Sequence, residues 1–316
     1  MNRTQIRIVE RVLTRLKLKQ LRLLVAVGER HSILHAAQAL NMSQPAATKL
    51  IKDLELDFDV QLFDRTNRGM VPTVFGAALI RHGKLILAQI SHAAQELDDL
   101  NEGNGGRVVL GTLLAASAEF LPRVLTRLLT DKPGLVVKLV EGTNEVLMPA
   151  LRSGDVDLVV GRLPMHRHRA EIVQERLFDE EVICVARSDH PVHRHAAPAL
   201  TDLMEYPWIL PPAETTLRRQ LDQVFVDLGG GAPPYAVESV SYLANRGLLV
   251  GSDMLAVMPA HVPRHDISAG TLSRVDWPVP IPIGPVGVSM RQSASLSPSV
   301  AGVLDALRIE AAQMAR

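Results

Sequence analysis

From residue 107 onward the chain repeats one pattern, a short and almost wholly apolar run followed by a segment with helical spacing. "RVVLGTL" leads into "AEFLPRVLTRLL", "VVKLVEG" leads into "NEVLMPALRSG", and "VDLVVGRL" ends the first set. Apolar runs without polar alternation belong to strands buried on both faces, so the pattern predicts parallel sheets covered by helices. A second set of the same order follows, with "EEVICVAR", "PWILP", "TTLRRQLDQVFVDLG", "AVESV" and "MLAVMP". The chain then offers "PVGVSM" and a terminal helix, "PSVAGVLDALRIEAAQM". The order of elements predicts two α/β units, although the two sets do not repeat in sequence. With 47% hydrophobic residues among 316, there is material for two or three separate cores.

Ahead of the Gly/Asn linker "NEGNGG" at 101–106 the pattern is helical. Leu18, Leu21, Leu24 and Val25 predict a helix over 18–30, Ser32 caps "ILHAAQAL", and Asn41-Met42 turns the chain into a third helix. Ser43 is a favoured N-cap, and Pro45 is tolerated in the first turn because no helical bond needs its missing N–H. Ala47, Leu50, Ile51 and Leu54 recur every three or four residues, which leaves Gln44, Thr48, Lys49 and Lys52 facing outward. Three short helices with one tight turn predict a helix-turn-helix, and Ala36 and Ala37 are small enough for two of them to cross closely. "DFDVQLFDRTNRGMVPT" then predicts a wing, with Gly69 in the turn and Arg65 and Arg68 near its tip. Thr73 caps a long helix in which Leu79, Leu85, Ile86, Ile90, Ala93, Ala94 and Leu97 keep near-heptad spacing, so a partner helix is expected to cover that stripe. In the first 16 residues, Arg3, Arg7, Arg11 and Arg15 stand four apart beside an apolar row, which predicts an extra amphipathic helix.

Charge separates along the chain in the same way. Lys and Arg balance Asp and Glu at 34 each, yet residues 1–92 hold 14 against 7 and the remainder 20 against 27. The N-terminal third is thus the part suited to a polyanion, and with aromatics at only 3% duplex nucleic acid is a better partner than stacked single strands. The single cysteine, Cys184, sits in an apolar run as in a buried strand and excludes an internal disulfide. The start has no apolar signal core and no window reaches 18 apolar residues, so a cytoplasmic protein without membrane contact is expected. His166, His168, His190, His193 and His195 lack the spacing of a metal site, and no metal or other cofactor is expected. Neither a nucleophile elbow nor a phosphate loop nor a dinucleotide fingerprint is present, so enzyme activity is not expected.

The run "AAQALNMSQPAATKLIKDLELDFDVQLFDRTNRG", followed by a long helix and by "VVLGT", "LVEG" and "DLVVG", resembles the LysR-type transcriptional regulators. The resemblance extends from about Leu18 to Leu307. "VPTVFG" and "HGKLILAQI" are similar to the subgroup governing sugar and aromatic-acid catabolism, which includes the galactose-binding-protein regulators. The resemblance implies an α/β protein with an all-α-rich N-terminal domain. In detail that is a winged helix-turn-helix, a dimerising linker helix and a two-lobed effector domain like the periplasmic binding proteins. The expected boundaries are 1–16 for the extra helix, 17–73 for the winged domain, 74–101 for the linker helix, 107–163 with 265–316 for lobe I, and 164–264 for lobe II. It also implies promoter duplex DNA as partner, a sugar or carboxylate effector, and a homo-oligomer from dimer to tetramer.

The residues expected at DNA are Ser43, Gln44, Pro45, Ala46, Thr48, Lys49, Lys52, Arg65 and Arg68, with Gln44 and Thr48 at base edges and the basic side chains at phosphates. Where the family usually has Ser-Arg, this chain has Thr48 and Lys49, and lysine lacks the bidentate fork that arginine offers guanine. For the effector, the resemblance implies that Thr112 at the end of the first strand, Ser117 opening the following helix, Thr143 after "LVEG", and Thr215 with Thr216 opening a second-lobe helix all face the cleft, where each hydroxyl either caps a helix or meets a ligand. Arg162 follows a buried strand at its carboxyl end, where it either meets a carboxylate or forms a salt bridge across the lobes. The rival reading is a solute-binding protein whose N-terminal helices serve only assembly.

Overall fold

The computed structural model describes residues 10, 12–67, 69–102, 105–164, 171–229, 231, 233–281, 284–292 and 296–314. Two compact units divide the chain near residue 98. The first opens with α1 (Leu18–Arg30), α2 (Ile33–Ala39) and α3 (Gln44–Phe58). Ser32 accepts a hydrogen bond from the His35 N–H and Ser43 from the Ala46 N–H, so both predicted caps form. Between α2 and α3 the turn runs through Asn41 at φ 51°, a left-handed position that asparagine tolerates. Leu21, Leu24, Val27, Ala36, Ala37, Ala47, Ile51 and Leu54 are all buried in one core, and the two alanines let α2 pack closely on its neighbours.

The strands β1 (Phe63–Thr66) and β2 (Gly69–Pro72) pair antiparallel as a two-stranded wing. Gly69 has φ +102°, and a Cβ there would lie 2.3 Å from the His31 carbonyl oxygen, so glycine is required on both counts. Helix α4 (Val74–Glu102) starts where Thr73 accepts from the Gly76 N–H at 3.1 Å and donates to the Gln61 carbonyl at 2.7 Å. Ile86, Ile90 and Leu97 stay exposed along α4. Of the expected extra helix, residues 12–15 are helical and Arg15 pairs with Asp57 of α3 at 3.7 Å, while Arg3, Arg7 and Arg11 lie outside the described residues.

The second unit holds two sheets. One contains β3 (Arg107–Thr112), β4 (Val136–Glu141), β5 (Leu158–Arg162), β6 (Ile172–Glu180) and β12 (Gly284–Arg291), in the order β4-β3-β5-β12-β6. The other contains β7 (Val182–Arg187), β8 (Trp208–Leu210), β9 (Tyr235–Glu238), β10 (Leu255–Pro259) and β11 (Leu272–Arg274), in the order β11-β7-β10-β8-β9. Around the first sheet lie α5 (Leu114–Ser117), α6 (Phe120–Asp131), α7 (Asn144–Ser153) and α12 (Pro298–Met314). Around the second lie α8 (Leu200–Leu203), α9 (Thr216–Asp227), α10 (Tyr242–Val250) and α11 (Arg264–Ser268).

The central strands of each sheet are covered on both faces, as the apolar runs predict, whereas β4 ("VVKLVE") is an edge strand with Val136 and Leu139 exposed, against the expectation of a buried run. In the first sheet, Leu110, Val160 and Val288 pack with Phe120, Val124 and Leu304 on one side, while Val159 packs with Leu147, Met148 and Leu151 on the other. Full burial of one such side chain contributes about 1.5–3 kcal/mol. The sheets are mixed rather than parallel, because β12 runs antiparallel to β5 and β7 antiparallel to β10. Those strands enter their sheets from the other lobe instead of over a helix, so the direction set by a βα crossover does not apply to them.

The expected lobe boundaries at 163/164 and 264/265 are corrected by the same strands. Pairing of β6 with β12 keeps the first lobe going to Glu180, and pairing of β11 with β7 keeps the second going to Arg274. β6 reads "IVQERLFDE" because it is an edge strand with several exposed side chains, and so lacks the apolar run that marks its neighbours. Among the described residues, no helix is long and apolar enough to cross a membrane.

Candidate functional site

Two sites emerge, one in each unit. In the first unit, Gln44, Pro45, Thr48, Lys49 and Lys52 share one surface of α3. Gln44, Thr48 and Lys52 also face Arg65 and Asn67 of the wing across a groove bordered by Ser32 and Leu34 at the start of α2. Ser43, Gln44, Pro45 and Ala46 are exposed at the α3 N-terminus, the end that a recognition helix presents to base edges. The Thr48 hydroxyl donates to the Gln44 carbonyl at 2.9 Å, so its lone pairs are left to accept from a partner. Wing and helix hold one register because Glu55 Oε1 accepts from the Leu62 N–H at 2.8 Å. Arg68 lies outside the described residues. The structure therefore brings helix and wing side chains into one concavity, where Lys52 and Arg65 stand with Glu55 and apolar side chains such as Leu34 and Met70 complete the wall. Sequence reasoning missed its Ser32 and Leu34 border, since a helix cap carries no sign of what else it faces.

In the second unit a cleft opens between the lobes at the carboxyl ends of β3, β4, β5, β8, β9 and β10, where α/β sheets bind ligands. Thr143, Arg162, Thr215 and Thr216 line it. Thr112 and Ser117 do not. Thr112 is buried and its hydroxyl donates to the Leu113 carbonyl, so Leu113 and Leu114 occupy the cleft wall instead. Ser117 ends the one-turn helix α5 rather than opening α6, and its hydroxyl donates to Glu141 Oε1 at 3.2 Å. Thr215 is committed as the N-cap of α9, accepting from the Arg218 N–H and donating to the Pro212 carbonyl. Asn144, Ser239 and Asn245 also line the cleft, and sequence reasoning missed all three.

Arg162 is buried and ion-paired within its own lobe. Its Nη2 donates to Glu180 Oε2 at 2.9 Å, with the two side chains 7% and 1% exposed. Its Nη1 reaches Gln220 Oε1 of the second lobe at 3.4 Å. Burial pushes the Glu180 carboxyl up to about 7, opposed by the Arg162 charge, and burial pushes the neighbouring His261 imidazole down. Of the two alternatives for Arg162, a ligand carboxylate or a salt bridge across the lobes, the structure shows a salt bridge, but within one lobe: Glu180 belongs to β6 of the first sheet, and it is the Gln220 hydrogen bond of Arg162 that crosses. His166 and His168 lie outside the described residues, whereas His190 accepts from the Val192 N–H and His193 bonds the Arg187 carbonyl. Cys184 is fully buried in β7, where desolvation pushes its thiol well above the ordinary range and leaves it unreactive.

Comparison with known proteins adds identity to this geometry. Residues 18–77 match the family model described as "Bacterial regulatory helix-turn-helix protein, lysR family", and residues 101–312 match "LysR substrate binding domain". The HTH-type transcriptional regulator GbpR of Azospirillum brasilense is 34% identical over 295 residues, covering 93% of this chain and 86% of that one. PcaQ of Agrobacterium fabrum, also an HTH-type transcriptional regulator, is 31% identical over 300 residues, covering 95% and 96%. Among solved structures, CbnR, a LysR family transcriptional regulator, superposes with a TM-score of 0.66 at 20% identity, covering 94% of this chain and 99% of that one. Full-length CbnR in complex with its target DNA gives 0.63 at 20% identity over 93% and 99%. An N-terminal module serving assembly alone is not what residues 18–77 match.

Proposed function

The chain belongs to the LysR family of DNA-binding transcriptional regulators with an effector-binding domain, and from that premise we propose how its own residues divide the work. Gln44 and Thr48 read base edges in the major groove, helped by the exposed helix start at Ser43, Pro45 and Ala46. Lys49, Lys52, Arg65 and Arg68 hold phosphates on either side. The effector sits between the lobes against Thr143, Arg162, Thr215 and Thr216. The chain works in the cytoplasm as a dimer or a tetramer of paired dimers, with α4 as the dimer seam.

The observation that carries this reading is the single groove in which Gln44, Thr48 and Lys52 of α3 face Arg65 of the wing. A helix and a wing set this way engage base edges and backbone together, which random surface charge does not arrange. Gel shifts on the DNA upstream of the chain's own gene, against a random duplex and across a salt series, test it. Preferential binding whose affinity falls steeply with salt is expected. Equal affinity for both duplexes refutes the division into reading and holding residues.

A further inference from the structure

The effector cleft carries a second, finer message in its charges and its unpaired acceptors. Arg162 is the one basic residue lining it among the described residues, and both ends of its guanidinium are engaged, Nη2 by Glu180 and Nη1 by Gln220. An arginine already neutralised at 2.9 Å by a buried carboxylate offers an incoming anion little attraction. The Arg162–Glu180 pair leaves no net buried negative charge, and the carboxylate on the wall, Glu141, is exposed and accepts from Ser117, so it holds a cation only weakly.

Two amide side chains point to what the cleft wants instead. Asn245, on α10 and only 5% exposed, lines the cleft with its Oδ1 buried and without a hydrogen-bond partner. Asn144, from the opposite lobe, does the same with its own Oδ1. Its orientation is fixed, because Nδ2 donates to the Arg162 carbonyl at 3.3 Å and a flipped amide would set oxygen against oxygen. A buried acceptor without a donor is costly, so each amide oxygen calls for an O–H or N–H from the ligand. An ionised carboxylate has only acceptors to offer and would repel both. Part of the remaining wall, Leu114, Ile209, Val257 and Met258, is apolar and suits the C–H face of a ring, while Thr143, Thr216 and Ser239 add hydroxyls beside it.

We infer that the cleft takes a neutral ligand with at least two hydroxyl donors and one apolar face, of the monosaccharide class, and discriminates against carboxylates. This rests on the reading of the cleft as the effector site. Asn144 and Asn245 are then the specificity-determining pair, one on each lobe, and a ligand donating to both bridges the lobes.

Titration calorimetry on the full chain at about pH 8, where Glu180 is ionised, tests the class with matched pairs, D-galactose against D-galacturonate and D-glucose against D-glucuronate, with benzyl alcohol as a single-hydroxyl control expected to bind more weakly than the preferred sugar. The neutral member of the preferred pair is expected to bind about tenfold or more tighter than its acid. Asn245→Leu, with folding checked by thermal melting, weakens it by about tenfold. Glu180→Gln frees the Arg162 charge and shifts the ratio toward the acid, which keeps the test decisive even if the Asn245 variant does not fold. An acid that outbinds its neutral partner in the natural chain, or a ratio that Glu180→Gln leaves unchanged, overturns the inference while the cleft stands. Absence of binding by every member, or binding indifferent to a cleft-filling Val257→Trp, overturns the cleft reading and the inference with it.

Discussion

At the scale of single residues, Gln44 and Arg65 face the same groove but are expected to fail differently when removed. A glutamine amide pairs with an adenine edge through two directed bonds, so Gln44→Ala relaxes discrimination at one base position and costs about 1–3 kcal/mol there. An arginine at a phosphate reads no sequence, so Arg65→Ala weakens every duplex alike and lowers the salt slope by about one. Binding measured on single-base operator variants and a random duplex separates the two, and parallel losses on all sequences for both variants would remove the assignment. Glu180 gives a pH prediction whose sign follows from its surroundings. Its carboxyl, ordinarily near 4.5, is raised to about 7 by burial, with Arg162 opposing and His261 packed alongside. Because the folded value lies above the unfolded one, this group favours the fold fully below pH 4.5, and that contribution is lost as pH rises through about 7. The preference for neutral over acidic ligands therefore shrinks below about pH 7, where protonated Glu180 no longer neutralises Arg162. Calorimetry at about pH 6 and pH 8 checks it, and a ratio that grows on acidification refutes it. Arg162 was legible as a cleft residue because it ends a recognisable strand. Glu180 was not, since it lies 18 residues away at the end of a charged edge strand.

At the scale of elements, what the sequence made visible is what local rules determine. The caps at Ser32, Ser43 and Thr73, the apolar stripes of α1 and α3, and the buried runs of β3, β5 and β10 follow from propensity and periodicity alone. Elements defined by their neighbours stayed hidden. β6 earns its place only by pairing with β12, and α5 is too short to show a period, which misplaced Ser117 as the start of a helix. The junction of wing and α4 yields a comparison of two substitutions. Thr73→Ala removes the cap that accepts from Gly76 and donates to Gln61, which costs about 0.5–2 kcal/mol. Gly76→Ala keeps the cap but sets a methyl carbon 1.9 Å from the Leu62 carbonyl oxygen, so backbone must move. Overpacking of that kind typically costs about 1–3 kcal/mol, and here the obstacle is main chain rather than a flexible tip. Gly76→Ala is therefore the more damaging of the two. Urea unfolding followed by far-ultraviolet dichroism ranks them, and the reverse order would show that α4 can pull away from the wing at little cost.

At the scale of the whole molecule, the split in charge marks the part suited to DNA, and the exposed stripe of α4 is where the proposed function places the contact between copies. Residues 1–92 carry twice as many basic as acidic side chains, 14 against 7, although the complete chain is balanced. Net charge alone would have hidden a nucleic-acid partner, and the sequence revealed one only when read in segments. Ile86, Ile90 and Leu97 are 42%, 43% and 63% exposed on one helix, at spacings of four and seven that keep them on a common stripe. LysR regulators are oligomeric, and a second copy of α4 laid along this stripe gives each residue an apolar neighbour. Two winged domains joined in this way bind two half-sites with the second contact made intramolecular, so the gain is one of effective concentration rather than of new contacts. Ile90→Glu sets a charge in the seam, where removing it from water without a partner is strongly unfavourable. The variant is expected to sediment as a monomer at concentrations where the natural chain is assembled. Its affinity for a duplex with two half-sites falls by about 100-fold or more, while affinity for a single half-site is nearly unchanged, because Gln44, Thr48 and Lys52 are untouched. A variant that still sediments as an oligomer, or that loses both duplexes equally, would place the seam elsewhere than on α4.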